Sequence, residues 1–181
     1  MLRATAYYSR TTLYSRIGAI PNFASTNPLV SRTFSTKMTS TEAKPLSRDF
    51  AFTAEVPGEL PAAIEKVTAA LKSQGFGVLT SIDMKATLKA KINADVRPYV
   101  ILGACNPGFA HKALQTDENV GLLLPCNVIV EQKEPGKCQV SLINPGTMMG
   151  FLGNKALEPL GEEAAVKLAA VAKALESEKS T

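Results

Sequence analysis

The sequence predicts an α+β domain, a two-layer sandwich in which an antiparallel sheet of about four or five strands is packed by two main helices. Three observations carry this expectation. Short segments after position 49 alternate apolar and polar residues at the strand period, and two longer segments repeat apolar residues at the helical period. A basic, acid-free stretch precedes both.

The elements follow in chain order. Phe50, Phe52 and Ala54 alternate with Ala51, Thr53 and Glu55, a half-buried first strand ending at Val56-Pro57-Gly58. Leu60, Ile64, Val67 and Leu71 then recur at helical spacing, with Pro61 near the start and Gly75 placed to end the helix. Phe76, Val78, Thr80, Ile82 and Met84 mark a second strand. Residues 85–94 suit a short helix with Leu88 and Ile92 inward and Lys85 and Lys89 on a shared outer face. Tyr99 to Cys105 is an apolar run suited to a buried strand, and a brief helix over 109–115 follows.

Leu122, Leu124, Cys126, Val128 and Val130 share one face of the next expected strand, with Leu123, Pro125, Asn127 and Ile129 on the other. A proline there suggests a sheet edge or a bulge, because it cannot donate to the ladder. Glu134-Pro135-Gly136-Lys137 supplies a hairpin turn, and Cys138, Val140 and Leu142 return on the buried face. Residues 144–154, rich in glycine, are expected as a loop exposing Met148, Met149, Phe151 and Leu152, a lid or a partner contact. An Ala-rich helix after Pro159, with Leu160, Ala164, Leu168, Val171 and Leu175 inward, closes the domain across the sheet.

Charge divides the chain. Of 20 basic residues, Arg3, Arg10, Arg16, Arg32 and Lys37 lie in the first forty positions, where the first acid, Glu42, has not yet occurred. The remainder is close to neutral, with fifteen basic residues against all 16 acidic ones. The basic first segment reads as a mitochondrial presequence, and Arg32-Thr33-Phe34-Ser35 places processing after Phe34. The alternative is a disordered basic tail, and Met38 offers a start for a shorter cytosolic form. The expected organisation is a presequence over 1–34, a solvated linker over 35–48 and a single domain over 49–178. The near-neutral domain gives no ground for nucleic-acid binding, and no apolar run approaches the ~20 residues that cross a bilayer.

Common catalytic signatures are absent. There is no GxSxG, HExxH, GxxxxGK[ST] or GxGxxG, and His111 is the single histidine. What stands out is Gly103-Ala104-Cys105-Asn106-Pro107 and Leu124-Pro125-Cys126-Asn127, the latter followed by Val128-Ile129-Val130-Glu131. In this order and separation the segments resemble the family called domain of unknown function 302, over about positions 50–178. The resemblance implies an α+β fold with an antiparallel sheet like that of the TATA-binding protein or a helix-grip domain. It implies no activity and no cofactor.

Three readings of the Cys-Asn segments follow. Cys105 and Cys126 are small buried hydrophobes, like Cys138, while the Asn side chains bond local backbone. Alternatively, Asn106 and Asn127 line the mouth of a cavity for a small apolar ligand beneath the Met148–Leu152 loop. Or Cys105 and Cys126 meet as a redox or sulfur-handling pair, with His111 completing a three-ligand metal site in one variant. The residues favour a mitochondrial ligand- or partner-binding domain that is not a conventional enzyme. The apolar loop and the edge suggested by Pro125 add the expectation of a homodimer.

Overall fold

A computed structural model of the chain describes residues 49–177. The chain divides into Met1–Thr41 and Glu42–Thr181, and the first unit, with the presequence, its processing site and Met38, lies outside the described residues, as does the 35–48 linker.

The elements run β1 (Ala51–Pro57), α1 (Leu60–Ser73), β2 (Gly77–Asp83), α2 (Met84–Ile92), β3 (Tyr99–Cys105), α3 (Pro107–Thr116), a 3-10 turn (Glu118–Leu123), β4 (Cys126–Glu134), β5 (Lys137–Ile143), α4 (Pro145–Met149), two further 3-10 turns (Gly150–Leu152, Lys155–Leu157) and α5 (Glu158–Ser177). The five strands form one antiparallel sheet in the order β1-β5-β4-β3-β2. The architecture is the α+β fold that the sequence predicts, with an open five-stranded sheet and helices layered against it. No helix among the described residues is long and apolar enough to cross a membrane.

Cross-strand register explains the core. Residues paired across antiparallel strands share a face, so Ala54, Val140, Val130 and Val100 form one row, and Phe52, Leu142, Val128 and Leu102 the next. Against these rows α1 places Ala63, Val67 and Leu71, and α5 places Ala164, Leu168, Val171 and Leu175, all buried in one cluster. Both sets fall at helical spacing, which is why each helix needs only one apolar stripe. Burying a Leu or Val side chain contributes roughly 1.5–3 kcal/mol, so these facing stripes supply most of the drive for layering. Gly161 lets the short α4 cross α5 at backbone distance, since a Cβ there would stand 2.9 Å from the Pro145 carbonyl oxygen.

Several expectations are corrected. Pro125 is neither at an edge nor within a strand: β4 lies between β3 and β5, and Pro125 immediately precedes it, joined to Leu124 by a cis peptide. Residues 118–123 turn as a 3-10 helix instead of extending, leaving Leu122 83% exposed. Asp117 begins that turn by accepting the Asn119 amide at 2.9 Å. Met148 and Met149 are buried in α4, and of the supposed apolar loop Phe151 stands out at 70% exposure, with Leu152 half-buried. Ile92 on α2 is 69% exposed and no residue of that helix is fully buried, so of its expected inward pair Leu88 alone is half-buried. In β2 the alternation breaks at Leu79, an extra residue between Val78, opposite Ala104, and Thr80, opposite Gly103. This bulge turns Thr80 and Ile82 away from the core.

Candidate functional site

Cys105 ends β3 and Cys126 begins β4, one residue out of direct register, since Cys126 pairs with Ala104. Both line one cavity, together with Asn106, Phe76 just ahead of β2, Phe109 of α3 and Met149 of α4. The cavity has a volume of ≈ 20 Å³. That is room for about one water molecule, whereas pockets for small organic ligands run from roughly 300 Å³ upward.

The thiols are shifted toward the protonated form. Burial, with a lesser contribution from neighbouring Cys105, pushes Cys126 up to about 11. Burial also raises Cys105. Cys138 is raised by burial and by nearby Glu59, and it donates its Sγ–H to the Gly58 carbonyl at 3.4 Å. Neutral thiols are poor nucleophiles and poor metal ligands. His111 does not line the cavity, and among the described residues no group of three or more His, Cys, Asp or Glu side chains is placed to hold a metal ion.

Asn106 caps α3: its Oδ1 accepts the amides of Gly108 at 3.0 Å and Phe109 at 3.3 Å. Asn144 does the same for α4, accepting the Gly146 amide at 2.9 Å and donating Nδ2 to the Asp49 carbonyl. Each begins an Asn-Pro-Gly triplet directly after a strand. Asn127 is elsewhere. It pairs with Gly103, is exposed, and alternates to the face opposite Cys126.

That opposite face is the larger feature. Residues 82, 101, 129, 141 and 53 pair successively across all five strands, giving a row of Ile82, Ile101, Ile129, Ser141 and Thr53. On one side lies a row of Tyr99, Glu131, Gln139 and Glu55, and on the other Thr80, Gly103, Asn127, Ile143 and Ala51. The buried residues of α1 and α5 pack with the core rows on the other side of the sheet; on this face Ser141 of β5, Ala51 of β1 and Gly103 in the middle of β3 are buried. Ile82 is 46% exposed, and Ile101, Ile129 and Ile143 are half-buried.

The family model described as "Domain of unknown function DUF302" matches residues 52–175, well over half of the chain. The chain belongs to the DUF302 family. A crystal structure of an uncharacterized conserved DUF302 protein from Bacillus stearothermophilus is similar at a TM-score of 0.63 and 31% identity, covering 68% of this chain and 96% of that one. No curated protein matches the chain.

In this DUF302 domain the sequence-predicted site residues therefore separate into three groups. Cys105, Asn106, Cys126 and Met149 meet at the small cavity. Asn127 belongs to the opposite sheet face, and Phe151 protrudes from a 3-10 turn with Met148 buried behind it. By its spacing Ile129 falls on the face opposite Cys126, but the row is not legible in the sequence, because Ile101 lies in an apolar run that reads as a buried strand and Ile82 in a period that the bulge at Leu79 reverses. The alternation of Ile129 and Ile101 against Val128, Val130, Val100 and Leu102 was the available signal, since one strand cannot send consecutive residues to the same face.

Proposed function

We propose that this DUF302 domain is a partner-binding domain and that its contact surface is the sheet face away from the core, centred on Ile101 and Ile129. One observation carries the reading: three isoleucines, Ile82 exposed and Ile101 and Ile129 half-buried, are aligned across β2, β3 and β4 on the face opposite the α1–α5 core. A contiguous apolar row on an otherwise polar surface marks an interaction site more often than a solvated one. The cysteine cavity supports a ligand less well, being too small for one and lined mainly by apolar groups. The basic, acid-free first forty residues support action in the mitochondrial matrix.

The test is photo-cross-linking in cells expressing the full chain with a photoreactive residue at position 129 or, as control, at exposed Val166 on α5. Defined adducts at 129 and none at 166 are expected. Equal labelling at both, or none at 129, overturns the reading.

A second reading has one observation in its favour: Cys105 and Cys126 line the same cavity, as a thiol pair must. Their raised pKa values count against it. Mild oxidation that removes two mass units from the folded chain supports it, and three thiols that resist until denaturation exclude it.

A further inference from the structure

Resting on the thiol-pair reading above, we infer that Cys105 and Cys126 form a slow redox staple: half-buried Cys105 exchanges with a small disulfide such as glutathione disulfide, and buried Cys126 then closes an internal disulfide between the ends of β3 and β4. Register brings the two within reach. Cys126 pairs with Ala104, so Cys105 is its diagonal neighbour. Opposed residues on antiparallel strands have Cα atoms about 4.5–5.5 Å apart, and one further residue adds about 3.4 Å along the strand, which puts the two Cα atoms roughly 6 Å apart. Disulfides span about 4.4–6.8 Å between Cα atoms. Cys105 is the last residue of β3, and its side chain borders the same cavity of ≈ 20 Å³ as that of Cys126. A space with room for about one water separates the thiols very little.

The two cysteines are unequal. Both are free, but Cys105 is half-buried and able to meet a solute, whereas Cys126 is 5% exposed. The Cys105 thiolate attacks one sulfur of glutathione disulfide and expels a glutathione thiolate, which takes up the proton that Cys105 gave. The Cys126 thiolate then attacks the Cys105 sulfur of the mixed disulfide and expels the second glutathione, which takes up the Cys126 proton. Two protein thiols are thereby oxidised, and one glutathione disulfide is reduced to two thiols. Burial favours the protonated form of both cysteines, so the exchange is slow. For the same reason the reduced pair lacks the thiolate stabilisation that makes the disulfides of oxidising catalysts labile, and the bond, once closed, persists. It fastens the excursion between the two strands, residues 106–125. There α3 and the 3-10 turn after it each have one fully buried residue, Ala113 and Val120.

The test is incubation of the full chain with glutathione disulfide at pH 8, read by intact mass and peptide mapping. The expected product has lost two mass units, carries a Cys105–Cys126 link with Cys138 free, and melts about 10 °C higher, as closure of a loop of about 20 residues implies. Cys126→Ala should accumulate a glutathione adduct on Cys105, and Cys105→Ala should leave Cys126 unmodified. An acid quench of the parent chain should catch the same Cys105 adduct before the link forms, which covers a variant that folds poorly. A first adduct on Cys126 or Cys138, a link through Cys138, or an unchanged melting temperature in the linked chain overturns the inference. If peroxide closes the pair while glutathione disulfide leaves both thiols intact, the exchange falls and the thiol-pair reading stands. Thiols that resist both reagents until denaturation overturn both.

Discussion

Gly103→Ala should destabilise the domain by about 1–2 kcal/mol net, through crowding with two neighbours of unequal stiffness. A Cβ on Gly103 would stand 2.3 Å from Thr80 Oγ1, 2.6 Å from Pro125 Cγ and 3.5 Å from Pro125 Cβ. Well-packed heavy atoms sit about 3.5–4.0 Å apart, so the first two approaches require movement. Thr80 lies on the edge strand and can change its χ1 rotamer, although its β-branch leaves few alternatives. Pro125 cannot respond in that way, because its ring is tied to the backbone just ahead of β4. Overpacking of this kind costs roughly 1–3 kcal/mol, and replacing glycine in a strand returns about 0.5–1 kcal/mol of backbone entropy. Crowding wins. The chain has no Trp, so urea unfolding is best followed by far-UV circular dichroism. Thr80→Ala in the Gly103→Ala background should recover only part of the loss, since Pro125 remains, and Pro125→Ala should recover more. A Gly103→Ala chain as stable as the parent would refute the reasoning, as would complete rescue by Thr80→Ala.

Two further outcomes are expected. Asn106→Ala should cost about 1 kcal/mol by removing the acceptor for the Gly108 and Phe109 amides, while Asn106→Asp should retain most of it; equal losses in a urea titration would show that the cap is not what matters. Cys126 should make stability fall in alkali. Burial holds it at about 11 in the folded chain against an ordinary 9.0, so its contribution is complete below about pH 9 and lost as pH rises toward 11, by about 2–3 kcal/mol at most. The urea midpoint of Cys126→Ala, measured from pH 8 to 11, should lack that part of the decline; an unchanged slope would mean that other groups cause it.

The fold was legible where a single period ran unbroken. Val128 and Val130 in β4, Val140 and Leu142 in β5, and Leu168, Val171 and Leu175 in α5 are all buried where their spacing puts them. It was illegible where a local event interrupted the period without altering composition. Leu79 is as apolar as its neighbours, so nothing in its side chain announced the bulge that turns Ile82 outward. Leu122 and Leu124 continue the alternation of β4 backwards, yet Asp117 captures the Asn119 amide and starts a 3-10 turn first. That side-chain acceptor was visible, and it outweighs two leucines because a satisfied turn removes the backbone groups a strand would need. The methionines misled for a tertiary reason. Glycines around them suggested a loop, whereas Gly161, far along the chain, makes the space in which α4 packs.

The paired Cys-Asn segments show how one dipeptide can hold two different structural positions. Within a strand, neighbouring residues point to opposite faces, so Cys126 and Asn127 cannot both enter one site: the thiol goes to the cavity and the amide to the opposite face. Cys105 and Asn106 escape that constraint because the strand ends between them, and Asn106 turns back to cap α3. What the segments share is a cysteine at the cavity, Cys105 from the last position of β3 and Cys126 from the first of β4, and what they do not share is the work of the asparagines. Asn106 bonds its own helix start, which stabilises α3, while its side chain borders the cavity. Asn127 sits one row from Ile129 on the proposed contact face, exposed opposite Gly103 and away from the cavity that Cys126 enters.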